Sequence, residues 1–157
     1  MQYPGYNTGE NILSEGNWYP FKIHNIVQLQ DDDWYYVLQD VNGLKHFMQA
    51  GFYETYGFKL GEVIMCKIDR INCTGRIYLE PENPHYKEGE NYYFETTCML
   101  NSDDKNLLVV KDISGNTVEV PLYDNSDLKF GAGKMIRCNV KSIKKGMLSL
   151  EINNINH

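Results

Sequence analysis

The sequence is short of the patterns that mark catalysis. It has four histidines, His24, His46, His85 and His157, and their spacing suggests no metal site. Its densest carboxylates, Asp31-Asp32-Asp33, have no positioned partner in the sequence and read as a solvated turn. No nucleophile–base constellation appears, so an enzyme is not expected. The four cysteines form no C-x-x-C pair, which leaves neither zinc nor thioredoxin-like redox chemistry signalled. Cofactors and metals are therefore not expected, and the cysteines suggest a reducing compartment. No apolar run approaches the length of a membrane span, and no signal-peptide pattern is present. The expectation is a soluble, cytoplasmic protein. Positive charge is also scarce. Lys and Arg number 15 against 21 Asp and Glu, for a net charge of −6. Bulk electrostatics would not hold such a chain on nucleic acid, because phosphate contact needs Lys and Arg.

What the sequence has is a repeat. Lys59 to Glu80 reads as two strands, in which Ile64, Cys66 and Ile68 alternate with Met65, Lys67 and Asp69. Gly133 to Glu151 repeats it: Cys66 returns as Cys138 and Ile71 as Ile143, both 72 residues on. Gly75 returns as Gly146 and Glu80 as Glu151, 71 residues on, so the second turn is one residue shorter. Glu15-Gly16-x-x-Tyr19-x-Phe21 returns as Glu88-Gly89-x-x-Tyr92-x-Phe94. Two units are too few for a solenoid, so each should own a core. The implied domains are an arm over residues 1–14, a first barrel over 15–80, a linker over 81–87 and a second barrel over 88–157. Domains of roughly 70 residues bury little surface and usually lean on a neighbour.

Each unit reads as five strands. In the first these are Trp18–Gln30, Trp34–Val41, Leu44–Met48 and the Lys59–Glu80 pair, with Asn42-Gly43 as a strong hairpin signal. The aromatic connection Gln49–Leu60 has room for one helical turn. In the second unit they are Asn91–Leu100, Leu107–Ile113, Thr117–Leu122 and the last pair, with Tyr123–Ala132 as the connection. A three-strand meander, a crossing connection and a final hairpin fit an all-β fold of two tandem five-stranded OB-fold Greek-key barrels. SH3-like barrels are the main competitor.

Gly61-Glu62-Val63-Ile64-Met65-Cys66-Lys67-Ile68-Asp69-Arg70-Ile71 and Gly75-Arg76-Ile77-Tyr78-Leu79-Glu80 resemble the end of an S-one-type RNA-binding OB domain. Gly133 to Glu151 fits the same frame, and Gly43-Leu44-Lys45-His46-Phe47 sits where that family places a glycine, an apolar residue and an aromatic or His. The resemblance covers about the last two-thirds of each unit. The family's glycine-bearing opening strands are not matched by Trp18 to Val41. The resemblance implies RNA binding.

The candidate ligand surface in the first barrel is the face of strands two and three. Trp34 and Tyr36 alternate there with Tyr35 and Val37, and one of these sets must be core. Trp34, Tyr36, His46 and Phe47 are the candidate stacking residues. The second unit puts Leu107, Leu108, Val118 and Val120 where the first has Tyr35, Tyr36, His46 and Met48, and offers charge instead. Alternation turns Ile136, Cys138 and Val140 inward and Arg137, Asn139 and Lys141 outward. Lys134, Arg137, Lys141, Lys144 and Lys145 are the candidate phosphate contacts, since a basic strip beside aromatics is what single-strand binding needs. The leading expectation is a non-catalytic module for single-stranded RNA or DNA. The alternative is a protein-interaction or scaffold module, favoured by the net negative charge and the many tyrosines.

Overall fold

The computed structural model describes residues 12–102, 105–122 and 131–153. The chain divides into two compact units, Met1–Glu82 and Asn83–His157. The first contains β1 (Trp18–Gln28), β2 (Trp34–Gln39), β3 (Lys45–Gln49), a 3-10 helix (Gly51–Tyr56), β4 (Val63–Ile71) and β5 (Ile77–Pro81). The second contains β6 (Asn91–Ser102), β7 (Lys105–Lys111), β8 (Thr117–Leu122), β9 (Met135–Lys144) and β10 (Met147–Ile152).

The strand order is β3-β2-β1-β4-β5 in the first sheet and β10-β9-β6-β7-β8 in the second, every pairing antiparallel. β3 meets β5, and β8 meets β10, so each sheet curls back on itself. The first strand of each unit pairs on both sides, as in the five-stranded Greek-key OB barrel. No helix among the described residues is long and apolar enough to cross a membrane.

Two bulges per unit make the curl possible. Register slips in β1 between Ile23 and Asn25, and in β6 between Thr96 and Cys98. It slips again in β4 between Ile68 and Arg70, and opposite Lys141 in β9. An extra residue bends the strand and raises its twist, so one strand can serve two neighbours. The bulges also reset the alternation. Phe21, Ile23, Leu38, Cys66 and Ile68 are fully buried in the first core, with Met48, Tyr53 and Leu79 beside them. Leu108, Val110, Val120, Cys138 and Val140 are fully buried in the second. The cysteines that recur at 72 residues are thus core packing.

The repeated Glu-Gly-x-x-Tyr has a structural cause. Ile71 N–H donates to Glu15 Oε1 at 2.7 Å, and Ile143 N–H to Glu88 Oε1 at 3.3 Å. Gly16 and Gly89 take φ of 84° and 86°, which a glycine adopts without steric cost. Their N–H groups donate to Ile68 O and Val140 O. The Tyr19 and Tyr92 hydroxyls accept from Ser14 N–H and Lys87 N–H. Each motif therefore ties the entry of a barrel to its fourth strand. The one-residue difference between the units lies in the last hairpin. The first unit turns through Cys73, Thr74 and Gly75, and the second through Lys145 and Gly146, both at positive φ, as a two-residue type I′ turn requires.

β1 ends two residues earlier than expected. β6 and β7 run on to Ser102 and from Lys105, which shortens the expected Asn101–Lys105 turn to Asp103-Asp104, outside the described residues. Residues 1–11 of the arm and 123–130 of the second connection lie outside them too. Of the segment read as a linker, Pro81 is buried in β5, and Tyr86 stacks on Phe94 at 5.4 Å inside the second core. The helical turn of the first connection is the 3-10 helix. Its Tyr53 is 2% exposed and donates its hydroxyl to Glu80 Oε1 at 3.1 Å.

Candidate nucleic-acid interface

β2 turns two different faces to two different surroundings. Tyr36, Leu38, His46 and Met48 lie on the barrel side, paired Tyr36↔Met48 and Leu38↔His46. Tyr35, Val37 and Phe47 lie on the outer side, paired Val37↔Phe47. Trp34 shares the phase of Tyr36 but sits at the barrel's end and is half exposed. The four aromatic or His candidates of the first unit therefore do not form one platform. His46 is turned inward. Its Nε2 lies 2.7 Å from Asp40 Oδ2, and its ring meets Phe21 edge-on. Asp40 Oδ1 accepts from Asn42 N–H and Leu44 N–H, so the histidine braces the β2–β3 turn. Phe47 is exposed on the outside, edge-on to Tyr35 with centroids 6.3 Å apart.

The outer face continues into residues that alternation did not single out. Tyr78 of β5 pairs with Arg70 of β4. The guanidinium of Arg70 lies 4.4 Å from the centre of the Tyr78 ring, and that of Arg76 lies 4.9 Å from it. A cation over an aromatic face is held by the ring quadrupole, for about 0.5–1 kcal/mol at exposed sites. The hydrogen bond that the Tyr35 hydroxyl donates to Asp31 Oδ2, at 2.6 Å, raises the phenol's pKa, and the positive charge of Arg76 opposes that rise. Asp31 is correspondingly held below its ordinary value, chiefly by the same bond. Phe47 with Tyr35, and Tyr78 with Arg70 and Arg76, are the two parts of an outer strip. It runs from the β2–β3 face to the β4–β5 hairpin, the region through which OB barrels bind oligonucleotides.

The bulge at Asp69 explains why the strip is hard to see in sequence. Plain alternation would place Arg70 inward with Cys66 and Ile68. The slipped register turns Arg70 out beside Tyr78 and Ile71 toward the core. The spacing Arg76-x-Tyr78 was the available signal, since residues two apart share a face. At the positions matching Tyr35, Phe47, Arg70, Arg76 and Tyr78 the second unit has Leu107, Glu119, Ser142, Met147 and Ser149.

Trp34 and Tyr36 line a separate hollow of about 470 Å³ with Ile26, Gln49, Ala50 and Gly51, and with the carboxyl-bearing Asp32, Asp33 and Glu54. Burial raises the Tyr36 phenol's pKa, and the negative charge of Glu54 adds to the rise.

In the second unit Lys134, Arg137, Lys141, Lys144 and Lys145 are all exposed. Ile136, Cys138 and Val140 are buried between them, as alternation requires. Lys141 Nζ stands 3.9 Å from Glu151 Oε2, which offsets part of the strip's charge. These residues lie on or beside β9, whose partners are β6 and β10, so they are not on the β7–β8 face. Among the described residues no cluster of three His, Cys, Asp or Glu side chains is placed to hold a metal.

No family model matches the chain, and no curated protein matches it. Solved structures overlap it loosely. A multidomain protein with nucleic-acid-binding domains from Streptococcus pneumoniae is 9% identical, with a TM-score of 0.37 over 96% of this chain and 55% of that one. The p202 HIN2 domain, solved as a tetramer, is 10% identical, with a TM-score of 0.34 over 91% of each chain. A murine DNA-binding protein bound to double-stranded DNA is 12% identical, with a TM-score of 0.31 over 88% of this chain and 92% of that one. The chain spans about half the length of the first. Overlaps this loose carry no argument about function. The OB architecture rests on the strand pairing itself, and membership of the S-one-type family is not shown.

Proposed function

We propose that the protein is a non-catalytic module that binds single-stranded nucleic acid on the outer strip of its first barrel. The observation that carries this reading is the pair of exposed aromatic and cationic groups at the β2–β3 face and the β4–β5 hairpin, Phe47 edge-on to Tyr35 and the two guanidinium groups over Tyr78. An exposed phenyl ring offers a stacking surface, worth about 1–3 kcal/mol per base. The two guanidinium groups, already ordered over Tyr78, meet the phosphates and lose little freedom on binding. The exposed Lys134, Arg137, Lys141, Lys144 and Lys145 of the second unit add charge of the right sign.

Two phosphate contacts on a single strand give a salt slope of about −1.4, hence about a sevenfold loss of affinity from 50 to 200 mM salt. Labelled single-stranded RNA and DNA oligomers, followed by fluorescence polarisation, test the reading. Phe47→Ala is expected to weaken binding about 5- to 150-fold. Arg76→Ala is expected to weaken it and flatten the slope by about 0.7. Absence of binding to either polymer at low salt refutes the proposal.

A further inference from the structure

We propose that the hollow at the end of the first barrel seats an arginine side chain from a basic segment of a protein partner. The cavity has about 470 Å³, a size typical of ligand sites. That exceeds one guanidinium group, so part of the flanking peptide fits as well. Its apolar lining comes from Ile26 and Tyr36, paired across β1 and β2, and from Ala50. Trp34 is 51% exposed in its wall, although a tryptophan on a barrel end gains by being covered.

Its polar lining is of one sign. Asp32, Asp33 and Glu54 are the charged residues of its lining, and no Lys, Arg or His is among the described lining residues. The Asp33 carboxylate is held in place by Gln49, whose Nε2 donates to Oδ2 at 2.9 Å. A phosphate is repelled from such a cavity, so it is not an extension of the nucleic-acid strip. A cation is drawn in, first by the carboxylates and then by the indole face, the strongest aromatic partner for a cation. Arginine fits better than lysine. Its planar guanidinium stacks on a ring while its five N–H donors address carboxylates, whereas an ammonium is a compact, strongly hydrated charge. The net charge of −6 favours encounter with a basic partner at long range.

The test uses the full chain carrying Trp18→Phe, which leaves Trp34 as the sole tryptophan. A Gly/Ser-flanked peptide with one central arginine is titrated while Trp34 emission is followed. The same peptide with lysine, and with citrulline as an uncharged isostere, provides the comparison. Calorimetry on the unaltered chain guards against a folding defect in the variant. The expected result is a saturable change with arginine, at least about tenfold weaker binding with citrulline, and an intermediate affinity with lysine. Glu54→Gln and Asp33→Asn should each weaken arginine-peptide binding about fivefold or more and leave oligonucleotide binding undiminished. No saturable binding by either method overturns the proposal. So does a citrulline or lysine peptide that binds as well as the arginine one. Oligonucleotide binding without peptide binding sinks this inference alone, and the reverse sinks only the nucleic-acid reading.

Discussion

Replacing Tyr53 by Phe removes a single oxygen from the end of the first barrel. The side chain is 2% exposed and its ring lies 5.3 Å from Tyr56, edge to face, contacts that Phe retains. The lost group is the hydroxyl that donates to Glu80 Oε1 at 3.1 Å, and Glu80 is itself only 5% exposed. A hydrogen bond to a charged group contributes about 1.5–3 kcal/mol. Glu80 keeps a further interaction, so the lower part of the range applies, about 1.5–2 kcal/mol. For a domain of this size that lowers the thermal midpoint by about 6–16 °C. The assay is selective, because Trp18 and Trp34 are the chain's two tryptophans and both belong to the first unit. Tryptophan emission during urea unfolding therefore follows that unit alone. A loss below about 0.5 kcal/mol, or a gain, would refute the argument that the 3-10 helix is pinned through this bond.

Cys73 and Cys98 are exposed and Cys66 and Cys138 buried, so a thiol reagent on the native protein should modify two cysteines quickly and two only on unfolding. Burial pushes the Cys66 thiol up, with the charge of Glu80 adding to it, and pushes Cys138 up to about 12 from an ordinary 9.0. The unfolded chain releases these protons first as pH rises, so both units should lose stability above about pH 9, the second progressively up to about 12. Stability flat from pH 8 to 11 in urea titrations would contradict this. Asp40→Ala removes an acceptor of three bonds, from Asn42 N–H, Leu44 N–H and the His46 ring, whereas Asp112→Ala, in the equivalent turn between β7 and β8, removes two, from Ser114 N–H and Asn116 N–H. The first should cost about 2–4 kcal/mol and the second about 1–2, read by chemical unfolding, and the reverse order would be inconsistent with the turn geometry.

The barrel order was legible because the last two strands of each unit alternate cleanly and recur at a nearly fixed distance. Cys66 and Cys138 landed in the cores on that signal alone. β2 was less legible, because Trp34-Tyr35-Tyr36-Val37 is apolar on both faces. Tyr35 ends up 9% exposed on the outside, beneath Phe47 and bonded to Asp31, an arrangement that periodicity does not encode. His46 carries the residue type of a stacking group, but the turn carboxylate of Asp40 claims it. Arg70 was hidden by phase, since a bulge inverts the inside–outside rule from the next residue onward. The acidic character of the Trp34 hollow was hidden by distance in the chain: Glu54 arrives from the 3-10 helix to line the same hollow as Asp32 and Asp33.

The Glu15 and Glu88 ties bear on how the protein forms during synthesis. The first joins residues 56 positions apart and the second 55, each linking the entry of a unit to its fourth strand. Neither unit can complete this tie until its fourth strand has left the ribosome. Contacts so far apart in sequence place barrels of this kind among the slower single-domain folders, in about milliseconds to seconds. That is still brief beside the several seconds needed to add some 70 residues at about 5–20 per second. All the strands of the first unit lie before residue 82, so its closure need not await the second. Two copies of one pattern in a single chain risk exchanging equivalent strands. The order of synthesis reduces that hazard, because the first copy can consume its own partners before the rival strands exist.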